Sequence, residues 1–155
     1  MPKGFLVGIT LTLSIVLAGC GGEKRLSASE YRARLKALGQ EAAKAQGQVE
    51  KATQSKSMVE FRKRLLLFSQ AEQRVGEEVA KLKPPKDAQK ANDELARGEH
   101  DTAGEIRTAL AHLTKVKTVK AALGYLNENR GLAQGGREVD EAVSSLRKLG
   151  YTTGS

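Results

Sequence analysis

Ser57-Met58-Val59-Glu60-Phe61-Arg62-Lys63-Arg64-Leu65-Leu66-Leu67-Phe68-Ser69-Gln70-Ala71-Glu72-Gln73-Arg74-Val75-Gly76-Glu77-Glu78-Val79-Ala80-Lys81-Leu82-Lys83-Pro84-Pro85 is the stretch that decides the fold class. It carries its own start, stripe and stop. Ser57 with Glu60 three residues on is a capping signal for a helix N-terminus. Met58, Phe61, Leu65, Phe68, Ala71, Val75, Val79 and Leu82 then recur at intervals of three and four, the period of one helix face. No other stripe in the chain is as bulky, so this one is expected at the centre of the core. Pro84-Pro85 stops it, because proline lacks a donor and drives the preceding residue out of helical geometry. Leu66 and Leu67 widen the apolar face and predict contact with more than one neighbour. Glu72 falls on or beside the stripe, where such a residue is expected at the edge with its head in water.

Working outward, the preceding segment predicts a helix over about 28–54. Ser27-Ala28-Ser29-Glu30 forms a capping box, flanked by Leu26 and Tyr31 in staple positions. Tyr31, Leu35, Leu38, Ala42, Ala45, Val49 and Ala52 follow as a heptad stripe, large at its start and alanine-rich later. After the prolines, a third helix is predicted from Pro85–Asp87 to Thr114, with Ala88, Ala91, Leu95, Thr102, Ile106, Leu110 and Leu113 on one face and Gly98 filling the gap. Gly98 and Gly104 each cost about 1 kcal/mol against alanine, which predicts a bend or a close approach. A fourth helix spans about 118–149. Its stripes, Val119-Leu123-Leu126 and Leu132-Val139-Val143-Leu146-Leu149, do not share a register, and Arg130 and Arg137 interrupt the second. A kink or break is expected around Asn127–Gly131 and Gly135-Gly136. Leu149-Gly150-Tyr151 reads as a glycine C-cap with a following apolar contact. The expected fold is all-α, an antiparallel up-down four-helix bundle with short loops near 55–57, 83–86 and 115–118. The alternative is a three-helix bundle with the segment after Gly131 packed separately. No period-two apolar run of useful length signals a strand.

Residues 1–19 differ from the rest. Lys3 precedes an apolar run from Phe5 to Leu17, shorter than the roughly 20 residues that span a bilayer and of signal-peptide size. Leu17-Ala18-Gly19-Cys20 resembles the lipobox read by signal peptidase II in bacterial lipoproteins. The resemblance implies cleavage before Cys20, a diacylglycerol thioether on its sulfur, and anchoring on the extracytoplasmic face of a cell membrane. Gly21, where retention signals have Asp, implies the outer membrane if the envelope has two. The expected organisation is a signal peptide over 1–19, lipidated cysteine and short tether over 20–26, a helical domain over 27–151 and a loose tail over 152–155. Cys20 is the only cysteine, so no intrachain disulfide forms. Two acyl chains suffice for stable anchoring. The mature part resembles the small, uncharacterised helical lipoproteins of high-GC Gram-positive bacteria in its Tyr31-x-x-x-Leu35 start, Leu82-Lys83-Pro84-Pro85 hinge and Leu149-Gly150-Tyr151 close. That resemblance implies a helical fold and brings no activity.

Candidate chemistry is sparse. His100 and His112 are twelve residues apart, about 18 Å along one helix, too far to share a metal. Glu99, Asp101 and Glu105 flank His100 and are expected on a solvated polar face. The E-x-x-H pairs of di-iron bundles are missing, as are haem-attachment, Walker, H-E-x-x-H and G-x-S-x-G patterns. Glu77 and Glu78 are adjacent and so point apart. No catalytic residue, no cofactor and no metal ligand is expected, and Cys20 lipidation is the one expected site.

Formal net charge is +8, and loss of residues 1–19 removes only Lys3. In an up-down bundle Lys51, Lys56, Arg62, Lys63, Arg64, Lys115, Lys117 and Lys120 collect at one end, and Lys24, Arg25, Lys81, Lys83, Lys86, Lys90, Arg147 and Lys148 at the other. Such ends suit an anionic lipid surface and an anionic envelope polymer or acidic protein, or simply complement helix dipoles. Nucleic acid is not expected, because an exported chain with 4% aromatics lacks access and stacking residues. The expected function is a membrane-anchored, non-enzymatic envelope lipoprotein acting as a binding or scaffolding module. The alternative is a bundle that holds a small solute or a metal. A filled core with charged ends favours the first; a polar concave pocket with convergent carboxylates favours the second.

Overall fold

The structure, a computed structural model, describes residues 24–129 and 133–152. The lipobox, Cys20, Arg130, Gly131 and Leu132 lie outside the described residues. Among the described residues five α-helices follow one another: α1 Ala28–Thr53, α2 Met58–Lys81, α3 Gln89–Leu113, α4 Val119–Glu128 and α5 Gln134–Lys148. A 3₁₀ turn, Lys86–Ala88, leads into α3. Among the described residues the regular structure is helical throughout, and no helix is long and apolar enough to cross a membrane.

The local signals act as the residues require. The main-chain N–H of Ser27 donates to Glu30 Oε2 at 2.8 Å and Glu30 N–H returns to Ser27 Oγ at 3.3 Å, closing the capping box of α1. Ser57 caps α2 through Glu60 N–H. α2 ends at Lys81, ahead of the prolines. At the far end Gly150 adopts φ +80°, a conformation glycine tolerates without a Cβ clash. Gly150 N–H donates to Arg147 O and Tyr151 N–H to Leu146 O, both at 2.9 Å, which is a Schellman closure of α5.

The segment expected as a fourth helix over 118–149 with a kink or break near 127–136 is broken into two helices, α4 and α5. The out-of-register stripes belong to separate bodies: Ala122 and Leu123 pack toward Phe61, whereas Ala142 and Leu146 pack toward Tyr31. One straight helix cannot serve both. Asn129 leaves helical geometry at ψ 83° and its side-chain amide donates to Tyr125 O at 2.9 Å.

Packing pairs α1 with α2, α2 with α3, and α3 with α5. The α3–α5 crossing is close because two glycines meet it. A Cβ on Gly98 would stand 2.8 Å from Val139 N, and one on Gly135 would collide with the Thr102 main chain. The expected close approach therefore holds at Gly98. At Gly104 a Cβ would meet nothing nearer than the Arg107 guanidinium at 4.0 Å.

Apolar burial falls into two clusters. One gathers Tyr31, Leu35, Val79, Leu95, Leu146 and Tyr151 near the α1 start and α5 end. The other gathers Ala52, Phe61, Leu65, Leu113 and Ala122 near the α1–α2 and α3–α4 connections. Phe68, expected in the core, joins neither and is half-buried. Leu66 and Leu67 are 44% and 45% exposed, so they reach solvent instead of a second neighbour.

Candidate functional site

Between the two clusters the helices enclose a groove of about 690 Å³. It exists because α1 is too small there. Gly39, Ala42, Ala43 and Gln46 face positions where a filled core would need large side chains, and Val49 closes the upper end. Phe68 of α2, Ile106 of α3 and Leu126 of α4 give apolar wall. Arg137 and Asp140 of α5 stand exposed at the rim.

The floor is acidic. Glu72 of α2 and Glu99 of α3 both line the groove, at 6% and 4% exposure. Their convergence is a property of the hairpin. α2 and α3 run antiparallel after the Pro84-Pro85 stop, so residues equally far from a centre between Pro85 and Lys86 face each other. Asn92 Nδ2 donates to Val79 O at 3.1 Å, and Ser69 Oγ to Ala103 O at 2.9 Å, on the same symmetry. Glu72 and Glu99 fall between those two contacts. Gly76 allows the approach, since a Cβ there would lie 3.1 Å from both Ala96 O and Glu99 Cβ.

Glu99 Oε2 meets no hydrogen-bond donor among the described residues. Burial pushes the Glu99 carboxyl up to about 9, and hydrogen bonding to Glu72 and the charge of Glu72 push in the same direction. At neutral pH Glu99 therefore keeps its proton. Buried carboxyls without a cationic partner are costly in the ionised form.

The expectation that Glu72 sits at a stripe edge in water is overturned, because Phe68, Glu72, Val75 and Val79 continue the inward face of α2. The expectation of a solvated face at Glu99 is overturned as well. The inward face of α3 runs Leu95, Glu99, Thr102, Ile106, Ala109 and Leu113, with intervals of four and three. Gly98, assigned to that face, turns to α5 instead. Two glutamates in register on successive apolar stripes were the signal in the sequence. His100 is exposed, and His112 stacks on Tyr125 with ring centroids 3.9 Å apart. Glu105 lies beside α5 and accepts from Gly135 N–H at 3.0 Å. No three His, Cys, Asp or Glu residues group as a metal site among the described residues.

Several members of the basic ends are engaged within the chain. Arg64 pairs with Glu60 at 2.6 Å and donates to Gln48 at 2.9 Å. Arg62 donates to Leu113 O, Arg25 to Pro84 O and Gln89, and Lys81 pairs with Glu78. The groove thus combines apolar walls, a buried pair of carboxyls and an open rim, an arrangement that suits a small molecule with an apolar body and a polar head. No family model matches the chain, and neither a curated protein nor a solved structure does.

Proposed function

We propose that the chain is a lipid-anchored, non-enzymatic lipoprotein of the bacterial cell envelope whose helical domain holds a small solute in the groove. In this reading α1, α2, α3 and α5 are the four members of an antiparallel up-down bundle, and α4 covers its upper end. The anchor rests on Leu17-Ala18-Gly19-Cys20 and the short apolar run before it. The solute site rests on one observation: Glu99 is 4% exposed, its Oε2 has no donor among the described residues, and it faces a groove of about 690 Å³. Buried polar atoms in folded proteins are nearly always hydrogen-bonded, and an orphan calls for a missing partner. The volume lies within the roughly 300–1,000 Å³ of small-molecule sites. A scaffolding role through the basic ends is less well supported, because Arg25, Arg62, Arg64 and Lys81 already have intramolecular partners.

The test is purification of the full chain from its membrane followed by mass spectrometry of bound small molecules. A compound of small-molecule size is expected with the wild type and reduced with Phe68→Trp, which fills the groove. Equal recovery from both, or none from either, counts against the solute site. Labelled palmitate is expected in the wild type and not in Cys20→Ser. Incorporation into that variant would refute the anchor.

A further inference from the structure

We infer that the groove selects a cationic amphiphile, a molecule whose guanidinium or protonated amine sits between Glu72 and Glu99 while its apolar body lies along Phe68, Ile106 and the alanines of α1. The inference rests on the solute-site reading above and goes further by naming the ligand's chemistry. Three observations carry it.

The first is donor balance. Each carboxyl offers acceptor sites, and Glu99 Oε2 receives nothing from the protein among the described residues. A head group rich in N–H donors supplies what is missing. Guanidinium suits it best, because its planar fork meets carboxylates in a fixed geometry. The second is charge. From α2 the groove receives Glu72, and from α5 Arg137 and Asp140 at the rim. From α1 it receives the uncharged Gln46, and from α4 only Leu126. On α3 itself His100 leans over Gly76, outside the lining. Arg137 and Asp140 offset each other, so the floor remains acidic within a chain of net charge +8. The third is what the pair lacks. Among the described residues no third His, Cys, Asp or Glu groups with the two carboxyls as a metal site, Asp140 standing apart at the rim, which favours an organic cation that brings its own donors over a metal ion that needs more protein ligands.

A cation between the two carboxyls favours the ionised form of Glu99 and so releases its proton on binding. In the free protein that proton is held up to about pH 9. Linkage then requires affinity to rise with pH, by as much as tenfold per unit below 9, for a ligand whose own charge is fixed. A ligand that instead accepts a hydrogen bond from protonated Glu99 would show the opposite trend.

The experiment is calorimetric titration of the full chain in discs of zwitterionic lipid, with empty discs as reference. The probes are 3-phenylpropylguanidinium, 3-phenylpropanol and 4-phenylbutyrate. The guanidinium is expected to bind most tightly and to tighten several-fold from pH 7 to pH 8.5. Glu99→Gln should weaken it at least tenfold at pH 8.5 and remove the pH trend. Glu72→Gln should weaken it in the same direction, and Glu41→Gln, on the exposed outer face of α1, should not. Guanidinium binding that is flat in pH or unchanged by Glu99→Gln overturns the inference. Preference for the alcohol or the acid also overturns it, while leaving the solute site standing. Failure of all three probes overturns it too, and the co-purification experiment then decides the solute site separately.

Discussion

Two buried polar pairs bridge α2, α3 and their neighbours, and they are opposites. Tyr31 and Asn92 are both fully buried. The Tyr31 hydroxyl donates to Asn92 Oδ1 at 3.0 Å, and Asn92 Nδ2 donates to Val79 O at 3.1 Å. Burial holds the Tyr31 phenol well above its ordinary range, and Tyr151 meets its ring edge-on at 5.2 Å. The hydroxyl and the amide nitrogen each have an acceptor. Two helical turns further from the hinge, Glu72 and Glu99 occupy the equivalent facing positions; they hydrogen-bond to each other, and Glu99 Oε2 is left without a partner among the described residues. The scaffold is the same; the chemistry differs. A pair that closes on itself specifies packing, whereas a pair left open beside a groove of about 690 Å³ is organised for something else to complete it.

The largest effects should separate the packed regions from the groove. Phe61→Ala removes a ring that is 1% exposed and should cost about 3–5 kcal/mol in urea unfolding. Phe68→Ala, on the groove wall, should cost less than half as much, about 1–2 kcal/mol, because it enlarges a space already open. Equal losses would mean that the groove is closed in solution. Gly135→Ala should destabilise by about 2–3 kcal/mol, since its methyl meets Thr102 main chain that no rotamer change can move. Gly104→Ala, with open space, should be neutral or stabilising by up to about 1 kcal/mol. Asn92→Ala should cost about 2 kcal/mol by orphaning the Tyr31 hydroxyl, read from the same unfolding curves.

Helices, caps and hinge were legible in the sequence because each is a local matter. Ser27 with Glu30, Ser57 with Glu60 and Gly150 act through neighbours in the chain, and the predicted end of the first helix differs from Thr53 by one residue. The split of the last helix was visible as a broken register, though whether it would kink or separate depends on what each stripe packs against. The site was hidden for a different reason. Each glutamate taken singly carries no sign of burial, because a lone charged residue on an apolar stripe is usually at the edge. Only their equal distance from the turn centred between Pro85 and Lys86 brings Glu72 and Glu99 together, a relation between helices that no single stripe contains. The hollow was written in α1 as Ala42, Ala43 and Gly39, but small residues also serve close packing, as at the α3–α5 crossing. Which of the two they serve is settled by the helix opposite.

The smallest effect has the most informative sign. In the unfolded chain Glu99 ionises near the ordinary glutamate value of about 4.3. In the folded protein it keeps its proton up to about 9. Between those limits the folded state binds more protons, so stability contributed by this group is complete below the lower limit. It falls as pH rises and is lost on passing the upper limit. Glu99→Gln removes the titration while keeping the shape. The variant should therefore differ little from wild type near pH 4 and become more stable by about 1–2 kcal/mol at pH 8, as read by melting across the range. The gain falls short of the full shift because the groove opens to solvent at Arg137 and Asp140, which relieves part of the burial cost. The Tyr31–Asn92 pair gives the control: Tyr31→Phe should lower stability by a similar amount at pH 5 and at pH 8, since that phenol stays protonated across the interval. If Glu99→Gln instead destabilises and does so equally at both pH values, Glu99 is already partnered. Glu72 and Glu99 would then belong with Tyr31 and Asn92 as a pair that holds the fold.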